Sequence, residues 1–244
     1  PVTFDSPSTS SVGAVIFAYK FTVPGTYNYD CSVGSHAANG MVGTISVQGS
    51  SVSALTLTGI MDLTIPSSMA SVTNGSQGKA IQLTANQNIS DLSVYGIGVA
   101  NNGNGTDGQE YTFPSISLNA GEHVLLARDT AAMSAYLGSC YSIFDHYLVA
   151  NSAISQNGDD AIELFFNGNV IETFGDVNVD GTGEPWEYMD SWAWKDTAAS
   201  NVGNWVYGGV NCSDGSTTTQ SSSCPFPLCP APSTDLVITA EVCG

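Results

Sequence analysis

The sequence predicts an all-β protein, and three observations carry that expectation. Short runs rich in Val, Ile, Thr, Tyr and Phe recur along the chain, clusters of Gly, Pro, Asn and Asp separate them, and helical periodicity is hard to find. In chain order the expected strands are Val15–Val23, Tyr27–Cys31, Gly43–Val47, Ala54–Gly59, Ala80–Thr84, Leu92–Tyr95, Glu122–Ala127, Ala161–Phe166 and Asn169–Phe174. The last two flank Asn167-Gly168, a dipeptide that supplies two positive-φ residues to a tight hairpin turn. One short helix is expected at Thr130–Leu137, with Asp129 as its N-cap.

Composition narrows the function classes. Four Lys or Arg stand against 22 Asp or Glu, a formal charge of −18 in 244 residues. Such a surface repels phosphate backbones and anionic lipid, so nucleic acid is not an expected partner and neither is direct membrane insertion. Nor does any apolar run approach the ~18 residues needed to span a bilayer. Most carboxylates lack a basic partner, which directs attention to divalent cations. A surface polar through Gly, Ser, Thr and Asn fits an extracellular or cell-surface setting. Six cysteines lie at 31, 140, 212, 224, 229 and 243, three of them in a Ser-, Thr- and Pro-rich tail. In an exported chain that clustering reads as disulfide pinning, with connectivity open. Sequons at Asn74, Asn88, Asn104 and Asn211 are glycosylation acceptors in a eukaryotic secretory route and simple turn sequences in a bacterium.

The length is suited to two domains. A Gly-Ser-Ser-Val-Ser linker at 49–53 separates residues 1–48 from a larger segment, 54–232. Residues 233–244 read as the start of a further module or as an exchanged strand, because Leu236-Val237-Ile238-Thr239 repeats the alternation of Leu55-Thr56-Leu57-Thr58. Both termini are read as cuts through modules.

Residues 21–47 read FTVPGTYNYDCSVGSHAANGMVGTISV, and the chemistry-bearing side chains are Cys31, His36 and Met41. Thiolate, imidazole and thioether together suit both oxidation states of copper. The order of ligands, the Pro-Gly-Thr-Tyr turn before Cys31 and the Gly-led strand after Met41 resemble the second half of a cupredoxin, with an azurin-like spacing between Cys and His. The resemblance implies a partial Greek-key barrel and a type 1 copper site that needs one more histidine. No histidine precedes Cys31, so an upstream ligand is expected. A packing module without copper is the alternative.

Residues 79–129 and 157–196 carry an Ile-x-Leu strand, Asp91-Leu92-Ser93, a Phe113-Pro114 turn and paired short strands. In that order they resemble a bacterial lamin-tail-type domain over most of 54–232. This implies an immunoglobulin-like β-sandwich that serves attachment or interaction and is noncatalytic.

Within it, Asp176-x-Asn178-x-Asp180-Gly181, with Glu184 and Glu187 following, meets the register of a calcium loop without flanking helices. A loop of Asx turns without metal is the alternative. Trp186, Tyr188, Trp192 and Trp194 make either core or a platform for sugar rings. Asp159, Asp160 and Glu163 are expected as turn and solvent residues, and His123 and His146 as structural histidines.

The function expected from all this is a noncatalytic, extracellular structural or interaction segment of a multidomain, polymer-forming surface protein. Its partners would be other copies or modules joined by strand completion. The rival readings are a type 1 copper electron-transfer protein anchored by a sandwich, and a carbohydrate-binding appendage of a secreted hydrolase.

Overall fold

A computed structural model describes residues 25–47, 53–66, 68, 77–196 and 204–227. The expected strand Val15–Val23, most of the linker, Asn74 and the repeat at Leu236–Thr239 lie outside the described residues. The chain divides into two compact units, 1–51 and 52–244. The architecture is mostly β throughout.

In the first unit, β1 (Gly25–Asp30) pairs antiparallel with β2 (Val42–Val47) in a register that runs from Gly25↔Val47 to Asp30↔Val42. The ring of Tyr29, the cross-strand partner of Gly43, lies over that glycine. A Cβ at that position would sit 2.3 Å from the phenol.

The second unit holds two sheets. The larger contains β3 (Leu55–Leu63), β4 (Gly78–Ala85), β7 (His123–Ala127), β8 (His146–Val149), β11 (Ser191–Asp196) and β12 (Asn204–Tyr207), in the order β12-β11-β3-β4-β7-β8. The smaller contains β5 (Tyr95–Ala100), β6 (Tyr111–Thr112), β9 (Ala161–Phe166) and β10 (Asn169–Phe174), in the order β10-β9-β5-β6. Leu57, Ile81, Leu83 and Leu126 of the larger sheet share one buried cluster with Ile97, Val99, Ile162 and Leu164 of the smaller. Side chains that alternate with these enter a second cluster: Ala80 and Leu125 pack with Met133, Tyr136 and Leu137 of helix α1 (Thr130–Leu137), and with Phe226. The larger sheet is therefore covered on both faces, which explains why Val124–Ala127 is apolar without alternation.

A bulge in β3 adjusts this two-sided burial. Leu55 and Leu57 face the first cluster, the register shifts between Leu57 and Gly59, and the extra residue lets Ile60 face the same side while Met61 turns to the other. At the tip of β9–β10, Asn167 and Gly168 adopt φ of 49° and 76°, as the turn chemistry demands. Helix α1 begins where Asp129 accepts from Ala131 N and Ala132 N, both at 3.0 Å.

Leu92–Val94 is not a strand. Asp91 accepts from Ser93 N at 3.0 Å and folds the segment into a 3₁₀ turn, so the strand starts at Tyr95 and runs on to Ala100. Gly98 within β5 is needed because the backbone at Gly108 crosses over it, and the Gln109 side chain lies over Gly96. A Cβ would stand 2.1 Å from the Gln109 side chain and 2.3 Å from the Gly108 carbonyl oxygen.

The C-terminal part of the described chain is held by a Cys212–Cys224 disulfide, by Trp192 Nε1 donating to Cys224 O at 2.8 Å, and by a Tyr136–Ser216 hydroxyl contact at 2.6 Å. Cys140 is disulfide-bonded as well. Among the described residues no helix is long and apolar enough to cross a membrane.

Candidate functional site

The β1–β2 connection brings two of the three copper-type side chains together. The ladder is extended by Cys31 N donating to Met41 O at 3.0 Å, and Met41 N donates to His36 O at 3.0 Å, so the loop folds back on its own start. Cys31 Sγ then lies 3.4 Å from His36 Nδ1, and Cys31 is a free thiol. Met41 follows in the chain with its side chain exposed. A thiol beside an imidazole is a soft donor pair that suits copper, and His36 is the histidine the loop supplies. His123 and His146 are engaged in the second unit: His123 Nδ1 lies 2.9 Å from Thr84 Oγ1, and His146 Nε2 lies 3.1 Å from Glu122 Oε2. Glu122 also accepts from Asn119 Nδ2 at 2.8 Å and Asn119 N at 2.9 Å. Chiefly through the Asn119 bonds, with His146 adding to them, its carboxyl is held down at about 2.

The Asp-rich loop is organised by hydrogen bonds to its own backbone. Asp176 Oδ1 accepts from Asn178 N at 2.9 Å, Asp180 Oδ1 from Thr182 N at 3.0 Å, and Glu187 Oε2 from Gly183 N at 2.8 Å. The Thr182 bonds lower the Asp180 carboxyl below the ordinary carboxylate range. Among the described residues no group of three His, Cys, Asp or Glu side chains converges as a metal would require, and Asp176, Asp180 and Glu187 do not form one. The loop also serves packing: Gly105 N donates to Val177 O at 2.7 Å, and Gly181 N to Asp159 O at 2.9 Å.

Two expectations about acidic residues are corrected. Asp160 and Glu163 are buried and do not face solvent. Asp160 accepts from Asn102 N at 2.8 Å and Asn157 N at 3.0 Å, tying two loops to the start of β9, and burial raises its carboxyl. Glu163 stands opposite Gly98, where the crossing 108–109 segment covers the sheet. The aromatic stretch belongs to the body of the unit: Tyr188 is fully buried with its hydroxyl donating to Asp160 O at 2.9 Å, Trp192 is buried, and Trp186 packs edge-on to Phe174 at 6.0 Å. Of the sequons, Asn88, Asn104 and Asn211 are exposed, although Asn104 Nδ2 donates to Asn101 O at 3.0 Å.

Sequence reasoning missed two buried ion pairs. Lys79 Nζ lies 2.9 Å from Asp62 Oδ1, with side chains only 7% and 12% exposed. Lys195 pairs with Glu172, whose other oxygen accepts from Thr56 Oγ1 at 2.7 Å and Leu57 N at 2.9 Å. The signal was present: in a chain with four cationic side chains, a lysine inside an apolar strand run, as in Gly78-Lys79-Ala80-Ile81, calls for a buried partner.

No protein-family model matches the chain, and no curated protein matches it.

Proposed function

We propose that the chain is a noncatalytic, extracellular structural and interaction segment of a multidomain surface protein, combining a cupredoxin-like half barrel with a lamin-tail-like sandwich. It joins other copies of itself by strand completion. The observation that carries this reading is the β1–β2 hairpin. Among the described residues the two strands pair only with each other, and they expose Tyr29 (55%), Val42 (61%) and Ile45 (39%). A two-stranded ribbon is marginal in water, and strand edges are templates for another strand. The Cys212–Cys224 disulfide and the acidic composition support an extracellular setting.

Sedimentation velocity of the full chain across a concentration series tests the proposal. Association that grows with concentration and is lost in Val42→Lys and Ile45→Lys supports it. A 25.3 kDa monomer at every concentration overturns it.

A type 1 copper electron-transfer protein is the second reading, favoured by the 3.4 Å approach of Cys31 Sγ to His36 Nδ1. Copper bound there would supply one-electron chemistry, with the thiolate and the imidazole as its holders. Addition of Cu(II) should then produce an intense visible thiolate-to-copper absorption that Cys31→Ser abolishes. A colourless protein after loading ends this reading.

A further inference from the structure

The Lys79–Asp62 pair is a buried amine–carboxyl contact held between two paired strands. The two residues are direct cross-strand partners on β4 and β3, 17 residues apart in the chain. Lys79 Nζ donates to Asp62 Oδ1 at 2.9 Å and also to the main-chain carbonyl of Gln156, which holds the amine against the carboxyl. The Asp190 backbone favours the charged form of the Asp62 carboxyl, and burial opposes it. Tyr188, fully buried, and Asp160, almost fully buried, also lie in the electrostatic surroundings of the pair, and Tyr188 donates to the Asp160 carbonyl at 2.9 Å. Bulk water is nearly excluded from both reacting groups.

We infer that Lys79 and Asp62 condense into an intramolecular amide that locks β3 to β4 at the end of their ladder.

The step balances without an oxidant, a reductant or a co-reactant. One proton passes from the Lys79 ammonium to the Asp62 carboxylate across the 2.9 Å contact, giving amine and carboxylic acid. Burial, the foremost influence on Asp62, raises its carboxyl toward this neutral form and outweighs the opposing pull of the Lys79 charge and hydrogen bond. The Nζ lone pair adds to Cγ. The carboxyl hydroxyl then leaves with the second amine proton as water, so one C–N bond replaces one C–O bond. The Asp190 side chain is fixed by Thr64 Oγ1, which donates to it at 2.8 Å. Holding amine and acid in one dry geometry replaces the activation that amide formation needs in water. Gln156 and Asp190 act as positioning residues. The Lys195–Glu172 pair is more open, with Glu172 18% exposed, and is expected to remain an ion pair.

Intact-mass measurement of the full chain after disulfide reduction, followed by peptide mapping, tests the inference. The expected mass lies one water below that of the sequence, and the digest contains a branched peptide joining Asp62 to Lys79. Mapping is essential because Asp-Gly sites such as Asp107-Gly108 and Asp214-Gly215 lose water by cyclising on themselves. The full sequence mass, a water loss located elsewhere, or a branch at Lys195 overturns the inference. The wild-type chain decides the matter whether or not variants fold. Lys79→Met and Asp62→Ala, where they fold, should each carry the full mass expected from their sequences.

Discussion

Replacing Glu172 by alanine should be among the most damaging single changes in the larger unit, for reasons read from three contacts. Glu172 reaches from β10 of the smaller sheet to β3 and β11 of the larger one, where it meets Lys195, the Thr56 hydroxyl and the Leu57 N–H. Lys195 is 11% exposed at its side chain, so removal of the carboxylate leaves a charge largely out of water, at a cost of about 3–5 kcal/mol. Loss of the acceptor for the Leu57 N–H adds about 1–3 kcal/mol before relaxation. The Trp205 ring, 5.3 Å from Lys195 Nζ, offsets roughly 0.5–2 kcal/mol of this. A net loss of about 4 kcal/mol is expected. Glu172→Gln keeps an acceptor and should lose about 2 kcal/mol, and the paired replacement Glu172→Leu with Lys195→Met should lose only the roughly 1–3 kcal/mol of the unpaired Leu57 N–H, since the ion pair itself can be replaced by an apolar pair at little cost. Urea unfolding of the disulfide-intact chain, followed by tryptophan fluorescence, measures all three. A Glu172→Ala loss below about 1 kcal/mol would refute the reasoning, as would a double replacement as damaging as the single one.

The remaining predictions concern three other sites. Cys212→Ser should lower stability by about 3 kcal/mol in the same assay, the chain-entropy value for a link across a separation of 12 residues. Glu122 has a folded-state pKa of about 2 against 4.5 unfolded, so its contribution is present above pH 4.5 and lost as pH falls toward 2. A carboxyl NMR titration should place its midpoint near the lower value, and Glu122→Gln should flatten the acid limb of stability in that window. Calcium added after chelator treatment should leave Tm unchanged, because Asp176, Asp180 and Glu187 each turn an oxygen to a loop amide and do not converge with one another. A rise of several degrees would assign the loop to a cation instead.

Much of the fold was legible where local chemistry governs it. Asn167-Gly168 and Asp129 act through neighbours in the chain, so the β9–β10 turn and the start of α1 could be read directly. The Pro-Gly-Thr-Tyr and Gly-led flanks likewise marked strands that the structure pairs from Gly25 to Val47. What stayed hidden depends on distant partners. β5 was obscured by Gly96 and Gly98, whose reason for being is a segment ten or more residues away that passes over the sheet. β8 is four residues long and finds its place by parallel pairing with β7 across α1. β11 was visible only as aromatic alternation, and the lysine near its end makes sense only with Glu172 as partner. At the candidate sites, spacing conveyed the approach of Cys31 to His36. It did not tell a calcium loop from a run of Asx turns, because both use the same Asp and Asn at alternate positions. The burial of Asp160 was equally invisible, since its donors come from the backbones of Asn102 and Asn157.

Amide hydrogen exchange of β1 and β2 at low and high protein concentration tests strand completion most directly. The proposal requires protection in Gly25–Asp30 and Val42–Val47 to rise with concentration while that of β3, β4 and β7 stays constant. Exchange in the hairpin that is the same at both concentrations would contradict it.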